Sequence, residues 1–142
     1  MLLVAIGFGD GSTVYASGGI DVNYSGIKTN EDRIAFIQRF GLTVVTEPRE
    51  EKSFTMPQNF DRVILGYNEL QKKQGLDISK YSKKKVTRYT YEVTNWANDG
   101  ECVNVNLLVW RSKIIACDVS SGEVGGFVYP LCDVDPAMLK KK

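Results

Sequence analysis

The chain has 142 residues, 43% of them apolar and 25% charged, which suits one soluble globular domain around a single core. Eighteen basic and seventeen acidic residues leave a formal charge of +1, so no global field gathers nucleic acid or anionic lipid. Histidine is absent, which excludes His-dependent triads, Cys-His dyads and the common zinc sites.

Met1 to Phe8 is apolar, but it is far shorter than the roughly 20 residues a membrane-spanning helix needs. Val14-Tyr15-Ala16 has the small-x-small form of a signal-peptidase site. Residues 1–26 therefore read as the remnant of an export or anchor segment followed by a glycine-rich flexible linker. The alternative is an irregular N-terminal strand packed on the domain. Residues 27–132 are expected to form one α+β domain, and residues 133–142 a polar C-terminal tail.

In TNEDRIAFIQRFG, Thr29 or Asn30 can cap a first helix, Glu31 and Asp32 complement its positive end, and Gly41 can stop it. Ile34, Ile37 and Phe40 supply an apolar stripe. Leu42 to Thr46 reads as a strand and Ser53 to Met56 as a poorly formed one. Pro57 is the expected start of a second helix, with Phe60, Val63, Ile64, Tyr67 and Leu70 or Gln71 recurring at helical spacing. Gly75 ends it, and Leu76 and Ile78 fold back over its last turn.

From Val86 the period becomes two. Tyr89, Tyr91 and Val93 share a face, as do Val103, Val105, Leu107 and Val109, and then Ile115, Cys117 and Val119. A three-residue loop, Asn98-Asp99-Gly100, would pair Tyr91 with Leu107. A matching loop, Arg111-Ser112-Lys113, would pair Leu107 with Cys117 and Val109 with Ile115. The expectation is an antiparallel β-meander of three or more strands, with two N-terminal helices packed on one face. Gly122, Gly125 and Gly126 suit a turn into a last extended segment that brings Phe127 and Tyr129 to the core.

Cys102, Cys117 and Cys132 contain no C-x-x-C. The register places Cys117 on the core face as a small buried residue and Cys102 on the other, so those two do not bridge. Arg88, Thr90, Glu92, Asn104 and Asn106 make the outer face polar, yet Leu108, Trp110 and Ile114 fall on the same side. Either the N-terminal segment covers these three, or together with Trp96 they form the candidate interaction surface.

The Gly-x-Gly pairs at Gly7, Gly9 and Gly11 lack a following helix, and G-x-S-x-G is absent. No catalytic residue, metal ligand or cofactor is assigned. Glu92 and Asp118 stand out as acids within strands, and a cleft near Tyr67, Tyr89, Tyr91, Glu92 or Asp118 is what an enzymatic alternative would need.

TNEDRIAFIQRFGLTV, YNELQKKQGLDISKY, VTRYTYEVTNW and NLLVWRSKIIACDVSSGEVGGF occur in that order. The set resembles the domain of unknown function 4830 family over roughly Ile27 to Phe127. These are small domains found largely in Gram-positive, gut-associated bacteria, typically after an N-terminal membrane anchor. The resemblance implies an extracytoplasmic, membrane-tethered α+β domain with no assigned activity. This chain departs from the pattern at its short apolar start and at Cys102 and Cys117.

The resulting expectation is a non-enzymatic protein- or ligand-interaction module of the cell envelope. Its partner would be a protein or peptide, taken at an exposed sheet face or strand edge. No nucleic acid is expected, and membrane contact is expected through an N-terminal anchor alone. A small envelope enzyme or inhibitor, or a structural spacer, are the alternatives.

Overall fold

A capping box starts the first helix. The Thr29 side chain accepts from the Asp32 amide at 3.1 Å, and the Asp32 carboxylate accepts from the Thr29 amide at 3.0 Å. The computed structural model describes residues 14–15, 21–97, 102–122 and 126–140. In chain order they form β1 (Val14–Tyr15), β2 (Asp21–Val22), α1 (Asn30–Gln38), β3 (Glu50–Thr55), α2 (Arg62–Lys72), β4 (Lys85–Glu92), β5 (Val103–Trp110), β6 (Lys113–Ser121) and β7 (Val128–Pro130). Strands β3 to β7 pair in sequence order as a five-stranded sheet, every neighbour antiparallel. The architecture is α+β.

The chain departs from the expected element boundaries in three places. Leu42 to Thr46 contributes a single bridge, Val44 to Val93, whereas the weaker candidate becomes the full edge strand β3. Because β3 lies between α1 and α2, the helices do not both precede the sheet. Helix α2 begins five residues after Pro57, where Asp61 accepts from the Ile64 amide at 2.9 Å.

The side-chain parity expected of β4 and β5 holds, but their pairing is displaced by two residues. Tyr91 lies opposite Val105, and Tyr89 opposite Leu107. A shift of two keeps each side chain on its face. The Asn98-Asp99-Gly100 loop lies outside the described residues.

At the next hairpin Leu107 does pair with Cys117, but Trp110 pairs with Lys113, leaving a two-residue turn at Arg111 and Ser112. Their φ values of 47° and 65° are the left-handed pair that a tight hairpin requires. The register shift between Leu108 and Val109 absorbs the difference, with Ile115 as the extra residue. Ile114 consequently faces the cluster of Tyr91, Leu107 and Cys117, and Ile115 joins Leu108 on the opposite side.

The sheet is covered twice. One cluster gathers Phe36 and Ile37 of α1 with Tyr91, Val105, Leu107, Ile114, Cys117 and Val119. The other gathers Met56, Ile78, Val86, Leu108, Ile115 and Ala116, with Ile64 and Tyr67 of α2 packed against it. The two helices thus serve different clusters and do not share one face. The strict alternation of β5 and β6, interrupted by one bulge, supplies apolar side chains to both.

Three buried polar side chains fix the end of α2. Asn68 accepts from the Ile78 amide at 2.8 Å. Gln71 accepts from the Cys117 amide at 2.9 Å, and Gln74 donates to the Cys117 carbonyl at 2.9 Å. These glutamines satisfy β6 where β7, whose pairing reaches from Asp118 to Ser120, gives it no neighbour. Gly75, at φ 80°, turns the chain so that Leu76 and Ile78 are buried.

The packed region is wider than residues 27–132. Val22 and Tyr24 belong to the core, and Val134, Met138 and Leu139 pack against it. Residues 1–13 and 16–20, where most of the expected anchor and linker would fall, lie outside the described residues.

Candidate functional site

Leu108 is 7% exposed and packs with Met56 and Ile78; Ile114 is 0% exposed and faces α1. Trp96 is 9% exposed, joins the α1-side cluster and stacks on Phe127 at 5.4 Å between ring centres. Trp110 is half-buried, with Tyr81 at 5.3 Å and the Arg111 guanidinium at 4.8 Å. The four candidate surface residues are therefore divided between two clusters and do not form one open patch. The N-terminal segment approaches Ile114, whose amide donates to the Tyr24 carbonyl, while Leu108 and Trp110 pack with the α2-side cluster.

Of the four, Leu108 reaches an open concave surface. A cleft of about 500 Å³ runs across the even-numbered face of the sheet beside α2. Phe54, Met56, Pro57, Ile64, Leu108 and Val128 give it apolar walls. Strand register builds the floor, since Glu50, Thr90, Asn106 and Asp118 lie opposite one another on successive strands. Arg88 occupies the adjoining row on one side, with Asn104 and Ser120 on the other.

The floor is hydrogen-bonded in one chain. Thr90 donates to Asn106 Oδ1 at 2.7 Å, and Asn106 Nδ2 donates to Asp118 Oδ2 at 3.0 Å. From α2, the Tyr67 hydroxyl donates to Asp118 Oδ1 at 2.6 Å. Arg88 Nη2 is bonded to Glu50 Oε1 at 2.9 Å, while Arg88 Nε is buried without an acceptor among the described residues.

Burial raises the Asp118 pKa above the ordinary carboxyl range, opposed by the bonds from Tyr67 and Asn106 and by the Arg88 charge. Burial, and then the adjacent carboxylate, push the Tyr67 phenol well upward as well. The Tyr67 phenol is thus kept protonated as a donor.

Of the residues proposed for an acid and tyrosine cleft, Tyr67 and Asp118 meet here. Tyr89 and Tyr91 lie across the sheet, where the Arg33 guanidinium stands 3.7 Å over the Tyr89 ring and donates to the Tyr91 hydroxyl at 2.8 Å. Glu92 is exposed. The period of two puts Arg88, Thr90 and Asn106 on this polar face, whereas Glu50 and Ser120 join it through the pairing of β3 and the full span of β6, which alternation alone does not encode.

Cys117 is buried, which raises its thiol pKa, and Cys132 is buried too. Cys102 is exposed and accepts from Arg49 Nη1 at 3.0 Å. Among the described residues no group of three or more His, Cys, Asp or Glu side chains is placed to hold a metal ion, and no helix is long and apolar enough to cross a membrane.

The sequence pattern of the Domain of unknown function (DUF4830) matches residues 36–119, more than half of the chain. The chain belongs to this family. The DUF4830 match begins within α1 and runs to Val119, so it includes the Arg88, Thr90, Asn106 and Asp118 floor and the Tyr67 contact. No curated protein and no solved structure matches this DUF4830 domain.

The raised Asp118 value has a consequence for stability. A carboxyl that resists ionisation in the fold contributes fully below its ordinary value of 3.8, and that contribution is lost as pH rises through the higher folded value. Asp118→Asn escapes this loss. Its stability in urea, relative to the unsubstituted protein, should rise as the pH climbs from the ordinary carboxyl value of 3.8 toward neutrality. A difference constant across that interval would contradict the assignment.

Proposed function

We propose that the domain is a non-enzymatic interaction module whose cleft holds a small ligand or part of a peptide. The observation that carries this reading is the combination of a volume near 500 Å³, apolar walls and a few convergent polar groups on a rigid sheet. A five-stranded sheet with α2 pinned to it by Tyr67, Gln71 and Gln74 supports a preformed site over one assembled on binding.

A catalytic reading has less support. Asp118 and Glu50 both line the cleft, but Glu50 is tied to Arg88 and Asp118 to Tyr67 and Asn106, which suits holding a ligand.

Nile red, a neutral apolar dye, provides the test. Its fluorescence should rise with the protein and fall severalfold with Val128→Trp, which narrows the mouth from an exposed position on β7. Val63→Asp, on the outer surface of α2 at 80% exposure, should leave the signal unchanged. Equal fluorescence in both variants would reject the cleft as the binding site.

We further propose an extracytoplasmic domain tethered through an N-terminal anchor, a reading that rests on the family resemblance and the apolar Met1 to Phe8 run. Cys102 reports on it, being exposed where Cys117 and Cys132 are buried. A membrane-impermeant maleimide should label Cys102 in intact cells. Labelling that requires lysis would place the domain inside.

A further inference from the structure

Opposite charges line the cleft within a few residues of each other. Arg88 gives one N–H to Glu50, yet its buried Nε has no acceptor among the described residues. An unpaired buried donor is costly, so an incoming acceptor would be favoured there. Asp118 receives hydrogen bonds from the neutral groups of Tyr67, Asn106 and Ser120, and a carboxylate has about four acceptor positions, so about one remains for a ligand donor. Ser120 Oγ, which accepts from Asn106 at 3.2 Å, adds another polar position in the same floor.

Ligand charge is constrained from both sides. An anion attracted to Arg88 meets Glu50 and Asp118, and a cation attracted to those carboxylates meets Arg88. A neutral group with an acceptor and a donor side by side avoids both conflicts, and the apolar walls ask for an apolar flank. Glu50 and Phe54 come from β3, one of the two outermost strands of the sheet, whose outer edge pairs with no strand among the described residues, so an extended chain can approach along it.

We infer that the cleft takes a short apolar peptide segment through a neutral backbone amide, its carbonyl accepting from Arg88 Nε and its N–H donating toward Asp118. This names the ligand class for the site proposed above and rests on that reading. Alkyl carboxylates and alkylammonium compounds of equal size are the ligands it rejects.

The experiment is a titration of the ¹⁵N-labelled full chain with four probes. Three share one side chain: N-acetyl-leucine N-methylamide is neutral, N-acetyl-leucine is anionic and leucine N-methylamide is cationic. The fourth, 1-hexanol, probes the apolar walls alone. The neutral compound should move the amide signals of Asn106, Leu108 and Asp118 and bind about tenfold more tightly than either charged one. Arg88→Met should weaken the neutral compound, lift the penalty on the cationic one and leave the anionic one weakest, since Glu50 and Asp118 remain.

A charged analogue equal to or tighter than the neutral one, with 1-hexanol still moving the cleft signals, would overturn the peptide-amide assignment. If none of the four probes, 1-hexanol included, moves those signals, the cleft reading itself falls. The ranking in the unsubstituted protein needs no variant, so it decides the matter even if Arg88→Met fails to fold.

Discussion

Strand β6 is buried residue by residue from Ile114 to Val119, and this two-sided burial is the constraint from which the other features follow. A strand in that position needs cover on each face and a partner for each edge. Helix α1 covers one face with Phe36 and Ile37, while α2 and the Met56 and Ile78 segments cover the other. Strand β5 takes one edge in full. On the other edge β7 pairs with Asp118 to Ser120, and Gln71 and Gln74 satisfy Cys117 beyond it.

Within such a strand a carboxylate is the exception that needs an account. Asp118 is 3% exposed, and burying its charge without partners would be strongly unfavourable. Tyr67 from α2 and Asn106 from β5 answer that requirement, and in doing so they orient the helix over the sheet. The cleft is where cover over this face gives way to open space, so its polar floor and the tertiary position of α2 have one cause. Arg88 belongs to the same neighbourhood and lowers the electrostatic cost of the Asp118 charge.

Much of this was legible in the sequence. The change of period after Val86 identified the central strands and put Cys117 with Leu107 on a buried face, because alternation is local and survives a register shift of two. Thr29 and Gly41 marked the first helix region for similarly local reasons. The position of α2 was not legible. Ile64 and Tyr67 of the expected stripe do pack on the sheet, but Val63 is exposed and the buried positions are the polar Asn68 and Gln71. Polar residues are needed there by unpaired backbone groups of other elements, which a helix period does not encode. The bulge at Ile115 was hidden too, since a three-residue loop and a two-residue turn plus one extra residue give the same Leu107 to Cys117 pair. That single residue moved Ile114 from the expected outer surface into the core.

The most direct test is a double-mutant cycle on Tyr67→Phe and Asp118→Ala, measured by urea unfolding at neutral pH. Joining of α2 to β6 through this contact predicts a coupling free energy of about 1–3 kcal/mol, with the double variant less destabilised than the sum of the single ones. Additive effects would contradict the contact and, with it, the account of how the cleft is formed.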